Sequence, residues 1–90
     1  MTEARRIIVS GKVQGVFYRA STKEFCERHG ITGWVKNLPG GEVEIFAQGT
    51  NDKLSSLIGW CAQGPQLARV EDVKVESVEI GEFNSFTIGC

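Results

Sequence analysis

The sequence lacks several features that would assign it to a membrane, a secretory route or a metal site. No apolar run approaches the roughly 20 residues of a membrane-spanning helix, and the opening Met-Thr-Glu-Ala-Arg-Arg leads into no signal-peptide core. The three cysteines, Cys26, Cys61 and Cys90, fit no CxxC pair and no zinc spacing. We therefore expect reduced thiols and a cytoplasmic protein that needs no metal, cofactor or membrane.

An excess of positive charge is also missing. The 90 residues include 10 basic and 11 acidic side chains, for a formal net charge of -1. Proteins that bind nucleic acid through its phosphates normally carry a clear basic excess, so this composition disfavours that function. Any anion must then be recognised locally, in one pocket. With 41% hydrophobic residues, residues 1–90 are expected to form a single globular domain.

Hydrophobic periodicity predicts the element order β-α-β-β-α-β. The predicted strands and helices cover 6–10 (strand), 20–29 (helix), 32–38 and 42–48 (a hairpin around Pro39-Gly40-Gly41), 52–63 (helix) and 67–80 (strand). Residues 86–88 form a candidate short fifth strand. This order predicts an α+β fold, the ferredoxin-like sandwich, in which right-handed crossovers place two helices on one face of an antiparallel sheet.

The stretch Val-Gln-Gly-Val-Phe-Tyr-Arg at 13–19 connects the first strand to the first helix. The N-terminus of a helix presents unpaired N–H groups and a positive dipole end to anions. Gly15 allows the backbone to curl around an anion, and the planar guanidinium of Arg19 could clasp two phosphate oxygens. The loop is neither a Walker motif nor a dinucleotide fingerprint. Taken alone, an ordinary turn with an exposed arginine is the commoner interpretation.

A second notable residue is Asn37, near the end of the second strand and before the Pro-Gly-Gly turn. Asparagine at such a position is most often a turn former. Its amide also offers a donor and an acceptor on a rigid strand, which would allow it to orient a water molecule. The residue by itself favours the structural interpretation.

Taken together, these stretches resemble the acylphosphatase family. The first family motif is matched by Val9-Ser10-Gly11-Lys12-Val13-Gln14-Gly15-Val16-Phe17-Tyr18-Arg19. The second is matched from Gly33-Trp34-Val35-Lys36-Asn37 through Gly41 and Val43 to Gly49. Similarity continues at Gly64-Pro65, at 68–71 and at 83–88, so it covers nearly the whole chain. Gly89 and Cys90 extend past the usual hydrophobic ending.

The resemblance implies metal-independent hydrolysis of a small-molecule acyl phosphate. It implies that Arg19 binds the phosphoryl group and that Asn37 positions the attacking water. The backbone N–H donors would come from Gln14, Gly15, Val16, Phe17 and Tyr18. Inorganic phosphate is then expected as product and inhibitor, and the protein is expected to be a monomer.

Three alternatives stay open from the sequence. RNA-recognition modules share the strand order but need stacking aromatics on the central strands, where 42–46 are acidic and aliphatic on the best candidate positions. A non-enzymatic anion- or partner-binding domain of the same fold is the second alternative. The third is a metal site formed by Cys26, His29 and Cys61, whose spacing matches no standard site; the favoured roles of these three are packing and surface positions.

Overall fold

Two helices and five strands are found in residues 1–89, which are the residues that the computed structural model describes. In chain order they are β1 (Glu3–Lys12), α1 (Tyr18–His29), β2 (Thr32–Asn37), β3 (Val43–Gly49), α2 (Asn51–Cys61), β4 (Arg69–Val78) and β5 (Phe86–Ile88). The predicted order of elements is therefore observed, including the short fifth strand.

The five strands form one sheet in the order β4-β1-β3-β2-β5. The four longer strands pair antiparallel, as predicted. The addition is β5, which pairs parallel to β2, with Gly33 opposite Phe86 and Val35 opposite Ile88. After β4 at one edge, the chain crosses to the other edge, where β5 runs in the same direction as β2. The sheet is mixed at this edge.

Both helices contribute their apolar stripes to a core against one sheet face. Alternate residues of β3 are buried, namely Val43, Ile45 and Ala47, because side chains alternate between the two faces of a strand. The predicted helix positions Thr22, Cys26, Leu54, Leu57 and Cys61 are buried, Phe25 and Ile58 are partly buried, and His29 is exposed. The core therefore lies between the helices and the sheet.

The opposite sheet face is occupied by ion pairs and by aromatic packing within the chain. Glu44 is buried there, and it pairs with Arg6 and, at 3.6 Å, with Lys36. Phe46 stacks on Trp34, and Phe83 also packs on Phe46, with centroids 5.1 Å apart. The aromatic ring at the end of the 42–46 stretch therefore contacts side chains of its own chain.

Most element boundaries differ by a few residues from the predicted ones, and strand pairing explains the difference at β4. The strand predicted at 67–80 is β4 over Arg69–Val78, because its partner β1 pairs it only between Lys12 opposite Arg69 and Ala4 opposite Val78. Within the part of the chain that the structure describes, no helix is long and apolar enough to cross a bilayer.

Gly33 gives a test of the sheet geometry. It has φ +135°, and a Cβ added there would collide with the carbonyl oxygen of Phe46 on the neighbouring strand. The added Cβ is bonded to the backbone of β2, and the carbonyl oxygen belongs to the backbone of β3. Because these two strands are paired, neither atom can move away without breaking hydrogen bonds between them. We expect Gly33→Ala to lower the free energy of unfolding by about 2–3 kcal/mol, measured by urea denaturation.

Gly59→Ala is the matched control, because Gly59 lies exposed in α2 with nothing within 4 Å of an added Cβ. Alanine is favoured over glycine in a helix, so we expect this variant to gain about 0.5–1 kcal/mol. Equal effects of the two substitutions would contradict the assigned backbone at Gly33.

Candidate active site

The loop between β1 and α1 contains two left-handed residues. Gly15 has φ 74° and Phe17 has φ 67°, whereas Val16 between them has a negative φ. Alternation of left-handed and other conformations turns successive N–H groups towards one point, which is the geometry of an anion-binding nest. Gly15 thus has the left-handed conformation that such a curl requires, and Phe17 supplies a second one that the sequence did not reveal.

Helix α1 begins at Tyr18, two residues earlier than predicted, because Phe17 serves as its N-cap. The carbonyl of Phe17 accepts a hydrogen bond from Ser21 N at 3.0 Å, but its side chain makes no capping bond. The first turn contains no acidic residue, so neither a side-chain oxygen nor a carboxylate offsets the positive end of the helix. Arg19 lies within this first turn.

An open cavity of about 320 Å³ lies where the loop, the start of α1 and the end of β2 meet. Its lining residues are Val13, Gly15, Phe17, Tyr18, Arg19, Ala20, Asn37 and Ile88. The structure thus brings the two predicted catalytic residues into one cavity. Among the predicted N–H donors, Gly15, Phe17 and Tyr18 line the cavity, whereas Val16 is buried in the core and Gln14 faces the hairpin.

Among residues 1–89, Arg19 and Arg69 are the two arginines without an ion pair, and of these two only Arg19 lines the cavity. Arg5, Arg6 and Arg28 each pair with a glutamate. Within residues 1–89, no carboxylate lies within 4.0 Å of the Arg19 guanidinium. Among these residues the guanidinium therefore has no ionic partner, and its five N–H donors suit an anion in the cavity.

Asn37 ends β2 and lies opposite Val43 of β3. Its Oδ1 is buried and has no hydrogen-bond partner among the described residues. Buried side-chain oxygens almost always have a partner, and one without a protein donor calls for a water or a ligand. The pairing of β2 with β3 fixes the backbone of Asn37, and the residue lines the cavity, so its amide is placed to bind a water molecule there.

The side chain of Gln14 connects the two halves of the site. Its Nε2 donates to the carbonyls of Leu38 at 2.8 Å and Glu42 at 2.9 Å, on either side of the hairpin turn. The loop that precedes Arg19 is thereby tied to the hairpin that carries Asn37. Sequence reasoning considered only the backbone of Gln14, and no local signal in the sequence marks this long-range bond.

Tyr18 anchors the start of α1 rather than offering a polar group to the cavity. Its hydroxyl donates to the carbonyl of Cys61 at 2.8 Å, and its ring lies 5.4 Å from that of Trp60. Burial raises the pKa of Tyr18 far above its usual value, so the phenol stays neutral. The helix that carries Arg19 is thus fixed to the end of α2.

Cys26 and Cys61 are buried free thiols. Burial raises the pKa of both thiols, to about 12 for Cys61, which leaves them protonated and unreactive. His29 lies on the surface against Phe25, with ring centroids 4.2 Å apart. In residues 1–89, no three His, Cys, Asp or Glu side chains are grouped as a metal site would require. Cys90 and the terminal carboxylate lie outside the described residues.

The topology defines a ferredoxin-like α+β domain, and a cavity lies at the start of its first helix. The acylphosphatase family model matches residues 5–88, and the chain therefore belongs to the acylphosphatase family. The predicted family, fold class and enzyme class, an acyl-phosphate hydrolase, are confirmed.

Individual proteins agree with this assignment. An acylphosphatase of Methylococcus capsulatus is 45% identical over 83 residues, covering 91% of this chain and 90% of that protein. The structure of an acylphosphatase from Coxiella burnetii superposes with a TM-score of 0.95 at 39% identity, covering 98% and 93% of the two chains. HypF of T. kodakarensis contains a similar unit (27% identity, TM-score 0.86), which spans 12% of that longer chain.

Proposed function

We propose that this protein hydrolyses the carboxyl–phosphate bond of small acyl phosphates to a carboxylate and inorganic phosphate, by attack of a positioned water. One observation carries the proposal: Arg19 and Asn37 line one cavity at a helix N-terminus that has no side-chain cap. Among residues 1–89, the Arg19 guanidinium pairs with no carboxylate and the buried Asn37 Oδ1 has no hydrogen-bond partner. The first group suits an anion and the second suits a neutral water.

Arg19 and the loop N–H groups hold the phosphoryl group. Phosphoryl transfer depends mostly on positioning and on stabilisation of charge spread over three peripheral oxygens. The guanidinium binds two of these oxygens as a fork, and the N–H groups of the nest face the third. Because loop and helix hold these donors in place before the substrate arrives, little reorganisation is needed in the transition state.

The leaving group explains why the site contains so few functional groups. An acyl phosphate expels a carboxylate, which is the conjugate base of an acid with a pKa of roughly 4. Such a group departs without being protonated, whereas an alkoxide would need a general acid. The cavity lining, as far as residues 1–89 provide it, contains no carboxylate and no imidazole, and this reaction requires neither.

Asn37 orients the nucleophile. Its Oδ1 accepts a hydrogen bond from the water. This bond directs a lone pair of the water oxygen towards phosphorus, on the side opposite the departing carboxylate. Holding the water near this line removes much of the entropic barrier of a bimolecular attack. A phosphoryl oxygen of the substrate then accepts the proton of the water, since the lining offers no other base.

The remaining parts of the proposal concern the protein in the cell. Residues 1–90 act as one domain and as a monomer, on a small-molecule substrate and without a nucleic acid or a membrane as partner. The free buried thiols of Cys26 and Cys61 support a reducing compartment such as the cytoplasm.

The first experiment measures hydrolysis of benzoyl phosphate and acetyl phosphate in excess EDTA, with p-nitrophenyl phosphate as a monoester control. We expect turnover of both acyl phosphates and little of the monoester, which has a poorer leaving group. A folded protein without acyl-phosphate turnover would leave the non-enzymatic anion-binding function in its place.

Inorganic phosphate should inhibit competitively. Product and substrate present the same oxygens to Arg19 and to the nest, so each excludes the other. Initial rates with acetyl phosphate at several phosphate concentrations should show a rising KM at constant kcat. A falling kcat at constant KM would place phosphate at a different site.

A further inference from the structure

Phe17 has an unusual backbone conformation and an exposed ring. In residues 1–89 it is the one non-glycine residue with a positive φ, at 67°, a conformation that a bulky L-residue rarely adopts. Its side chain is 73% exposed, so the core gains nothing from it. Glycine or asparagine would fit this backbone better. The fold therefore does not explain why a phenylalanine stands here.

Phe17 lines the cavity together with a second exposed apolar residue. Ile88 lines the same cavity and is 42% exposed. It belongs to β5, which is held beside β2 by the pairing of Ile88 with Val35 and by a 2.7 Å hydrogen bond from Gly89 N to Val35 O. These two exposed apolar residues, here called the rim, thus share the cavity with the polar residues Arg19 and Asn37.

We propose that Phe17 and Ile88 form an acyl-group subsite that selects acyl phosphates with an aromatic or branched apolar acyl part. The inference rests on the proposed function. With the phosphoryl group held by Arg19 and the nest, the acyl part must extend towards the mouth of the cavity. Apart from Arg19 and Asn37, the lining side chains are apolar or anchored elsewhere, so a polar acyl group finds no dedicated partner.

The expected size of the effect follows from hydrophobic selectivity. Apolar contacts in a pocket commonly discriminate between substrates by roughly 10- to 200-fold. Because this subsite is an open rim, we expect discrimination near the lower limit of that range, about tenfold. The Phe17 ring should account for most of it, since it is the larger and more exposed of the two groups.

The test compares kcat/KM for benzoyl phosphate and acetyl phosphate in EDTA, for the wild type, Phe17→Asn and Ile88→Thr. Asparagine tolerates the left-handed backbone, and threonine keeps the β-branched side chain that suits a strand. We expect the benzoyl-to-acetyl ratio to fall about tenfold in Phe17→Asn and severalfold in Ile88→Thr. Ile80→Thr, an exposed position outside the cavity lining, should keep the wild-type ratio.

Phosphonates give a readout that needs no turnover. The inhibitors 2-phenylethylphosphonate and propylphosphonate match the two substrates in chain length and differ in the ring. We expect the phenyl compound to bind the wild type about tenfold more tightly, and this advantage to vanish in Phe17→Asn. The ratio cancels any general disturbance of the loop, because both inhibitors use the same anion site.

The outcomes separate the inference from the proposed function. Hydrolysis of both substrates with the same benzoyl-to-acetyl ratio in every variant would overturn the subsite and leave the hydrolase. A folded wild type that hydrolyses neither substrate would overturn the proposed function. In that case calorimetry with the two phosphonates tests the subsite independently of hydrolysis. Equal affinities would reject the subsite, and tighter binding of the phenyl compound would support it.

Discussion

Arg19→Lys should lower kcat/KM for acetyl phosphate by about 1,000-fold, even though it keeps the positive charge. A lysine ammonium is a point charge that cannot bind two oxygens as a planar fork, and losing such preorganised donors typically costs about 100- to 1,000-fold or more. In the free enzyme, Arg19 forms no ion pair with a carboxylate of residues 1–89, so the substitution breaks no such pair. The loss should therefore appear in activity and phosphate affinity, with little change in stability.

Arg28→Lys is the control for this experiment. Arg28 lies on the same helix, is exposed and pairs with Glu24 at 3.4 Å, a surface contact of little energetic weight. Activity and melting temperature should both stay near those of the wild type. Full activity of Arg19→Lys, with its fold intact by circular dichroism, would remove the guanidinium from the mechanism.

Periodicity predicted the element order, since each buried stripe depends on residues close in sequence. The boundaries were harder because they depend on distant partners. Nothing in the composition of the loop indicates that Phe17 takes a left-handed conformation, since glycine and asparagine are the usual residues for it. The start of α1, and with it the place of Arg19 in the first helical turn, therefore had to come from the structure.

The two predicted catalytic residues were found through the family resemblance, since neither stands out on its own. An arginine after a loop and an asparagine before a turn are both common. Their closeness arises from tertiary structure, because the sheet places the end of β2 beside the start of α1. The Gln14 bonds to Leu38 and Glu42 span 24 and 28 residues, and local patterns carry no signal over such separations.

Asn37→Ala should lower kcat by about 100- to 1,000-fold while changing the inhibition constant of inorganic phosphate by less than about threefold. In the proposed mechanism Oδ1 acts on the water and not on the phosphoryl group, so we expect its removal to affect the reaction more than the binding of the anion. Because this oxygen has no partner among residues 1–89, truncation leaves no donor of those residues without its acceptor. The melting temperature should stay close to that of the wild type.

Asn84→Ala supplies the control, since Asn84 is exposed and does not line the cavity, and we expect it to leave kcat unaltered. The decisive comparison is between the change in kcat and the change in the inhibition constant of inorganic phosphate in Asn37→Ala. Equal losses in kcat and in phosphate affinity would mean that Asn37 binds the anion directly. In that case the water would have to be oriented by the backbone of the loop or by the substrate itself, and the orphaned oxygen would need a different ligand.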